Sequence, residues 1–201
     1  MNRLIDIKGL VNGEFVNAEI AFKLFDLDNT FSSKNNKSLG ETLLHKRYQS
    51  VVKQLVSPPS SDLQVPLGDY LMRLKLGGDS RYRYFLNKYG DQTFCKFKLN
   101  SHLSCKGLYA WVIEGQVQYI GRCLDSFKKR VNQGYGSISA KNCFIDGQST
   151  NCHLNALINS HRNVELWVYD MSDKCAKEIS DLELSLLNTF DFNWNIQNNK
   201  K

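Results

Sequence analysis

The stretch from Leu108 to Ile113, followed by Glu114-Gly115-Gln116 and then by Val117 to Ile120, constrains this chain more than any other. Its six consecutive apolar residues fall far short of the roughly 20 that cross a bilayer, and they suit a strand buried on both faces. Glu114-Gly115-Gln116 has the composition of a hairpin turn, so the second run returns antiparallel beside the first. A buried strand needs covering layers, and the rest of the second half supplies them. Asp125 can cap a helix running through Gln133, with Leu124, Phe127 and Val131 inward and Gly134 as its stop. Thr150 can cap another helix carrying Leu154, Leu157 and Ile158. Val164, Leu166 and Val168 alternate with Glu165, Trp167 and Tyr169, which is the period of a strand. Asp173 to Phe190 reads as a long amphipathic helix. The expected class is α+β, a small antiparallel or mixed sheet flanked by helices.

The first hundred residues carry weaker signals. Leu44, Val51, Val52 and Leu55 recur near helical spacing, which predicts a helix over Glu41 to Val56. Ser57-Pro58-Pro59-Ser60-Ser61 ends it as a linker, and the asparagine-rich Ser32 to Ser38 reads as an exposed loop. Phe94 to Leu99 alternates as a strand. Between them, Arg81-Tyr82-Arg83-Tyr84-Phe85 and Lys88-Tyr89 interleave cations with aromatics. Such a tract can contact phosphates and stack on bases; it can equally pack its tyrosines inward and leave its arginines in water. The sequence divides into a mixed or mainly helical region, 1–104, and a second domain, 105–201.

Charge bears on the partner. Residues 1–100 hold 15 Lys+Arg against 10 Asp+Glu and residues 101–201 hold 11 against 10, within a formal total of +6. A basic half favours a polyanion, with ordinary surface charge as the alternative. Asp6 and Lys8 break up the apolar residues at the N-terminus, so no secretory core is expected and the cytoplasm is the expected compartment. The six cysteines include no Cys-x-x-Cys pair. His102-x-x-Cys105 and Cys152-His153 are fragments of a zinc pattern, yet reduced thiols, buried or half-exposed, are the simpler expectation.

Two residues sit where their chemistry is unexpected. On the last helix, Ala176, Ile179, Leu182, Leu186, Leu187 and Phe190 form an apolar stripe that contains Glu183. A carboxylate facing the protein requires a cation: a metal, an arginine or a lysine. The alternative is a stripe-edge glutamate that reaches water or pairs with a lysine. Arg130, between Lys129 and the apolar face of its helix, can reach from a packed position toward a cleft and offer its planar fork to a phosphate.

The hairpin carries Gly107-Leu108-Tyr109 on one strand and Tyr119-Ile120-Gly121 on the other. Arg130 follows nine residues after Gly121, and Asn195 twelve after Glu183. In this order and spacing the chain resembles the GIY-YIG nuclease domain over about residues 105 to 197. Leucine replaces the central isoleucine of the first triplet, and Phe192 stands where many members have proline. The resemblance implies a DNA endonuclease in which Glu183 holds one divalent cation, Mg²⁺ or another such as Mn²⁺, with its preference for oxygen ligands. It implies Tyr109 as general base, Tyr119 as a supporting hydroxyl that bonds water or phosphate, and Arg130 with Arg122 as clamps on phosphate oxygens. Gly107, Gly121 and Asn195 would support the architecture.

Double-stranded DNA is the implied partner, with Arg81, Arg83, Lys128, Lys129, Lys141, Asn151 and His153 as contact candidates. His161 offers no partner spacing that makes it catalytic. Homing and excision-repair members usually carry this module at the other end of the chain. A type II restriction enzyme therefore fits better, with 1–104 for recognition and a homodimer to cut two strands. A structure-selective repair or mobile-element nuclease, or a DNA-binding protein without cleavage, are the alternatives.

Overall fold

The computed structural model describes residues 6–55 and 58–196. Its strands are β1 (Val16–Ala18), β2 (Ile20–Leu27), β3 (Phe94–Leu99), β4 (Gly107–Ile113), β5 (Gln116–Cys123) and β6 (Glu165–Asp170). Its α-helices are α1 (Leu39–Leu43), α2 (Gln49–Gln54), α3 (Leu67–Leu76), α4 (Ala140–Cys143), α5 (Ser149–His161) and α6 (Ala176–Thr189). The protein is mixed α/β, with a small antiparallel sheet flanked by helices.

Two compact units are assembled from discontinuous segments. Met1–Lys23, Lys96–Ser137 and Ser160–Lys201 form the first; Leu24–Cys95 and Ile138–Asn159 form the second. A cut at residue 104 does not follow this division. The N-terminal β1 belongs to the sheet of the C-terminal half, and 138–159 packs with the helical region. No local signal could reveal this, because β1 has three residues and its partner β6 lies about 150 positions away.

In the first unit the sheet order is β1-β6-β4-β5, all antiparallel. The hairpin forms where its composition places it. Glu114 and Gly115 both have positive φ (49° and 77°), the left-handed pair that matches the twist of two antiparallel strands. Trp111 pairs with Tyr119 but Val112 with Val117, so Gln118 is an extra residue that bulges β5. Its freed carbonyl accepts the Trp194 backbone N–H at 2.9 Å. One face of the sheet, with Leu108, Ala110 and Ile120, packs against Ile179 and Leu186 of α6. The opposite pleat is aromatic, with Tyr109 and Trp111 on β4.

Leu124 is exposed and Asp125 does not cap the segment after β5. Ser126 does so instead, its Oγ accepting the Lys129 N–H at 3.3 Å. Lys128–Tyr135 winds as a π-helical turn closed by a Gly136 N–H to Val131 carbonyl bond of 2.8 Å. Gly134 lies inside that turn, at φ −94° and ψ −110°, and not at its end. Alternation over β6 is as the sequence reads, with Leu166 and Val168 fully buried.

The second unit is mainly helical around Phe31, Leu39, Val51, Leu71 and Phe85. The single helix expected over 41–56 is broken. α1 ends at Leu43, a 3-10 turn occupies Lys46–Tyr48, and α2 begins at Gln49. Tyr48 takes the buried position and bonds Asp146 at 2.7 Å, while Leu44 is 84% exposed. The 32–38 tract follows a 3-10 turn, Thr30–Ser33, anchored by buried Phe31, and its Ser38 caps α1. Val56 and Ser57 lie outside the described residues; Ser60–Gln64 forms a further 3-10 turn.

Candidate active site

The glycines of the hairpin explain how two tyrosines come to share one face. Tyr109 pairs across the strands with Gly121, and Tyr119 lies diagonally beside it on the same pleat. A Cβ on Gly121 would stand 2.7 Å from the Tyr109 hydroxyl and 2.8 Å from Cε1 of Tyr119. The absent side chain is thus the space the two rings occupy, with centroids 5.8 Å apart. Gly107, at φ 145°, lets β6 approach until an added Cβ would lie 2.1 Å from the Tyr169 carbonyl oxygen.

Arg130 closes this cluster. Its Nε donates to the Tyr109 hydroxyl at 3.0 Å, and its guanidinium carbon lies 5.9 Å from the Tyr109 ring centre and 5.8 Å from that of Tyr135. Tyr135, fully buried and 5.9 Å from Tyr109, was not among the residues the pattern singled out. Helical spacing at 100° per residue does not join positions 130 and 135. Between them the chain leaves helical geometry at Gly134 (φ −94°, ψ −110°), so a kink and not a regular helical period sets Tyr135 beside Arg130. The only available sequence signal was an aromatic between Gly134 and Gly136.

The electrostatics of this cluster are unusual. Arg130 is part-buried, and among the described residues no carboxylate pairs with it; phenols and aromatic faces surround it. Burial pushes the Tyr109 phenol far above its ordinary value, and the Arg130 charge only partly opposes this. Tyr119 hydrogen-bonds Tyr109 and is raised by burial first, then by Tyr109, with the Glu183 charge adding to the effect. Near neutral pH the cluster therefore holds neutral phenols around a desolvated cation.

Arg122 alternates with Gly121 and so leaves β5 on the other pleat, toward α6. There its Nη1 pairs with Oε2 of Glu183, whose side chain is only 12% exposed against 46% for Arg122. The stripe position of Glu183 thus faces the protein and is met by an arginine. The two groups thus leave the sheet on opposite pleats, and the Glu183 charge is felt at Tyr119. Asn195 braces that edge. Its Oδ1 accepts the Ile120 N–H at 3.0 Å and its Nδ2 donates to the Ile120 carbonyl at 2.8 Å, standing in for a neighbouring strand.

The peripheral candidates fare differently. Lys128 and Lys129 are exposed on the π-turn, with Lys129 3.7 Å from Asp125. In the second unit, Arg81 is forked onto Asp79, its Nε 2.8 Å from Oδ2, and Arg83 donates to the Tyr82 hydroxyl at 3.1 Å. Tyr82 and Phe85 are buried, which is the inward-packing alternative for this tract. Lys141 is exposed on α4. Asn151 is buried and its amide donates to Gln148, which takes it away from any groove. His153 rests on Tyr89, ring centroids 4.5 Å apart, and His161 on Trp194 at 5.3 Å.

All six cysteines are free thiols, four of them buried. Among the described residues no group of three or more His, Cys, Asp or Glu side chains forms a ready-made metal cage. No helix among them is long and apolar enough to cross a membrane. No protein-family model, curated protein or solved structure matches this chain.

Proposed function

We propose that this protein is a metal-dependent DNA endonuclease that hydrolyses phosphodiester bonds, with a type II restriction enzyme as the specific form. The observation that carries the proposal is Arg130, a part-buried guanidinium with no carboxylate partner among the described residues. Desolvating an uncompensated cation is costly, and an anionic ligand that completes it recovers that cost. A phosphate oxygen matches the fork that Arg130 presents beside Tyr109. The segment 96–137 around it carries seven Lys+Arg against two Asp+Glu, a field that favours a polyanion.

Glu183 is the residue that would hold the divalent ion. It is a hard oxygen donor, mostly buried, and it already holds a cationic group, which is the chemistry such an ion requires. Magnesium and manganese suit a single carboxylate because Mg²⁺ keeps several waters and shares its remaining positions with substrate phosphate. When bound, such an ion neutralises charge on the scissile group and its leaving oxygen. The chain's own contribution is positional. Arg130 fixes Tyr109 and clamps a nonbridging oxygen; Tyr109 accepts the proton of the attacking water; Tyr119 supports its oxygen.

Because burial keeps Tyr109 protonated, the fraction able to act as base grows about tenfold per pH unit below its pKa. Cleavage then accelerates toward alkaline pH. The homodimer, the restriction role and a cytoplasmic site of action belong to the same proposal.

A second reading has its own support. Glu183 is already neutralised by Arg122 and the phenols are neutral, an arrangement also suited to a DNA-binding protein that does not cut. Incubating the protein with supercoiled plasmid and Mg²⁺ separates them. Discrete linear fragments, lost in Glu183→Gln with DNA binding retained, are the expected result. Nicking confined to branched substrates favours the repair or mobile-element role, and binding without any cleavage favours the second reading.

A further inference from the structure

The Arg122–Glu183 pair is unequal in a way that a purely structural ion pair has no need to be. Glu183 is fixed: it sits on α6 between Ile179 and Leu186, both buried, with its side chain 12% exposed. Arg122 is loose: it projects from an edge strand, is 46% exposed, and uses one Nη1 contact of its five donors on Glu183. Arg122 holds the Oε2 of Glu183, and a divalent ion on the same carboxylate would stand close to the guanidinium, so the two cations would repel each other there.

We infer that Arg122 is a placeholder cation, which neutralises Glu183 until a divalent ion displaces it and frees the guanidinium for a DNA phosphate. This rests on the endonuclease reading of Glu183 and adds a regulatory step to it: ion binding and phosphate clamping become linked through one side chain. The exchange keeps Glu183 compensated throughout, so its burial never leaves an unpaired charge. It also means that Arg122 opposes the metal in the absence of DNA and supports it in the presence of DNA, since the displaced guanidinium then has an anion to meet.

The test is Mn²⁺ titration of the DNA-free protein, followed by the electron paramagnetic resonance signal of the free ion. The wild type is expected to show one weak saturable site, absent from Glu183→Gln. Arg122→Ala is expected to bind Mn²⁺ about tenfold more tightly, the scale fitting a pair between the exposed and buried extremes. Arg122→Lys, which keeps a cation, stays near the wild type. Circular dichroism melts confirm that each variant is folded. If Mn²⁺ binds the wild type, is lost in Glu183→Gln and is unchanged in Arg122→Ala, the placeholder role fails while the endonuclease reading stands. If no variant binds Mn²⁺ at Glu183, both fail together.

Discussion

Arginine and tyrosine meet in each of the two units, and the groups that complete them differ. In the second unit Arg81, Tyr82 and Arg83 are neighbours in sequence, and acidic groups satisfy two of them: Arg81 is forked onto Asp79 and Tyr82 bonds Asp91 at 2.5 Å. Arg83 in turn donates to Tyr82. In the first unit Arg130 and Tyr109 lie 21 positions apart and are brought together by a hairpin and the kinked segment after it, with no carboxylate beside the guanidinium among the described residues. The same residue types form a closed local network in one region and, among the described residues, a part-buried guanidinium held by phenols in the other. Proximity in sequence is a poor guide to which arginine has a carboxylate partner.

The comparison can be sharpened by experiment, beginning with the phenol. Tyr109→Phe keeps the ring and removes the oxygen that Arg130 holds. Single-turnover cleavage is expected to fall about 10²- to 10⁴-fold, the usual worth of a positioned acid or base. The rise of rate with pH should flatten in that variant; a parallel rise would remove Tyr109 as the base.

Next comes the stability of the cluster in alkali. The buried phenols of Tyr109 and Tyr135 keep their protons above pH 10, where the unfolded chain has released them. The folded state then holds more protons than the unfolded one, so stability is intact below pH 10 and is lost as pH rises beyond it. The slope is about 1.4 kcal/mol per pH unit for each phenol, roughly 3 for the two. Denaturant unfolding at stepped pH, with tyrosinate absorbance as a second probe, measures it; a flat profile would show that these phenols ionise freely.

Gly121→Ala probes the packing of the cluster. The added methyl has to displace both rings, which should cost about 1–3 kcal/mol as an overpacked site and lower cleavage further than the lost stability explains. Arg81→Ala makes the smallest change, because Arg81 is tied to Asp79 on its own turn. Cleavage within twofold of the wild type is expected; a large loss would move the DNA contact into the second unit.

Much of the sheet is legible in the sequence because its determinants are local. The turn at Glu114-Gly115 and the alternation of Val164, Leu166 and Val168 each announce themselves within a few residues. The burial of Glu183 is also legible, since helical geometry alone puts it on the apolar stripe of α6. What the sequence hides is non-local or non-ideal. β1 is too short to show a period, and the 100° rule of a regular helix does not join Tyr135 to Arg130, between which Gly134 leaves helical geometry. Leu44 and Leu55 have helical spacing, but Tyr48 competes for the buried position and wins through its bond to Asp146. The identity of the cation at Glu183 follows the same logic: the stripe demands one, and only the register that sets Arg122 on the α6 side names it.

The central claim is that the uncompensated charge of Arg130 exists to receive a scissile phosphate. Its most direct test is single-turnover cleavage of plasmid DNA by the wild type and by Arg130→Lys, which keeps the charge but loses the fork and the Nε bond to Tyr109. A loss of about 10²-fold or more with an unchanged melting temperature is the expected result. Equal rates in the two proteins would contradict the claim.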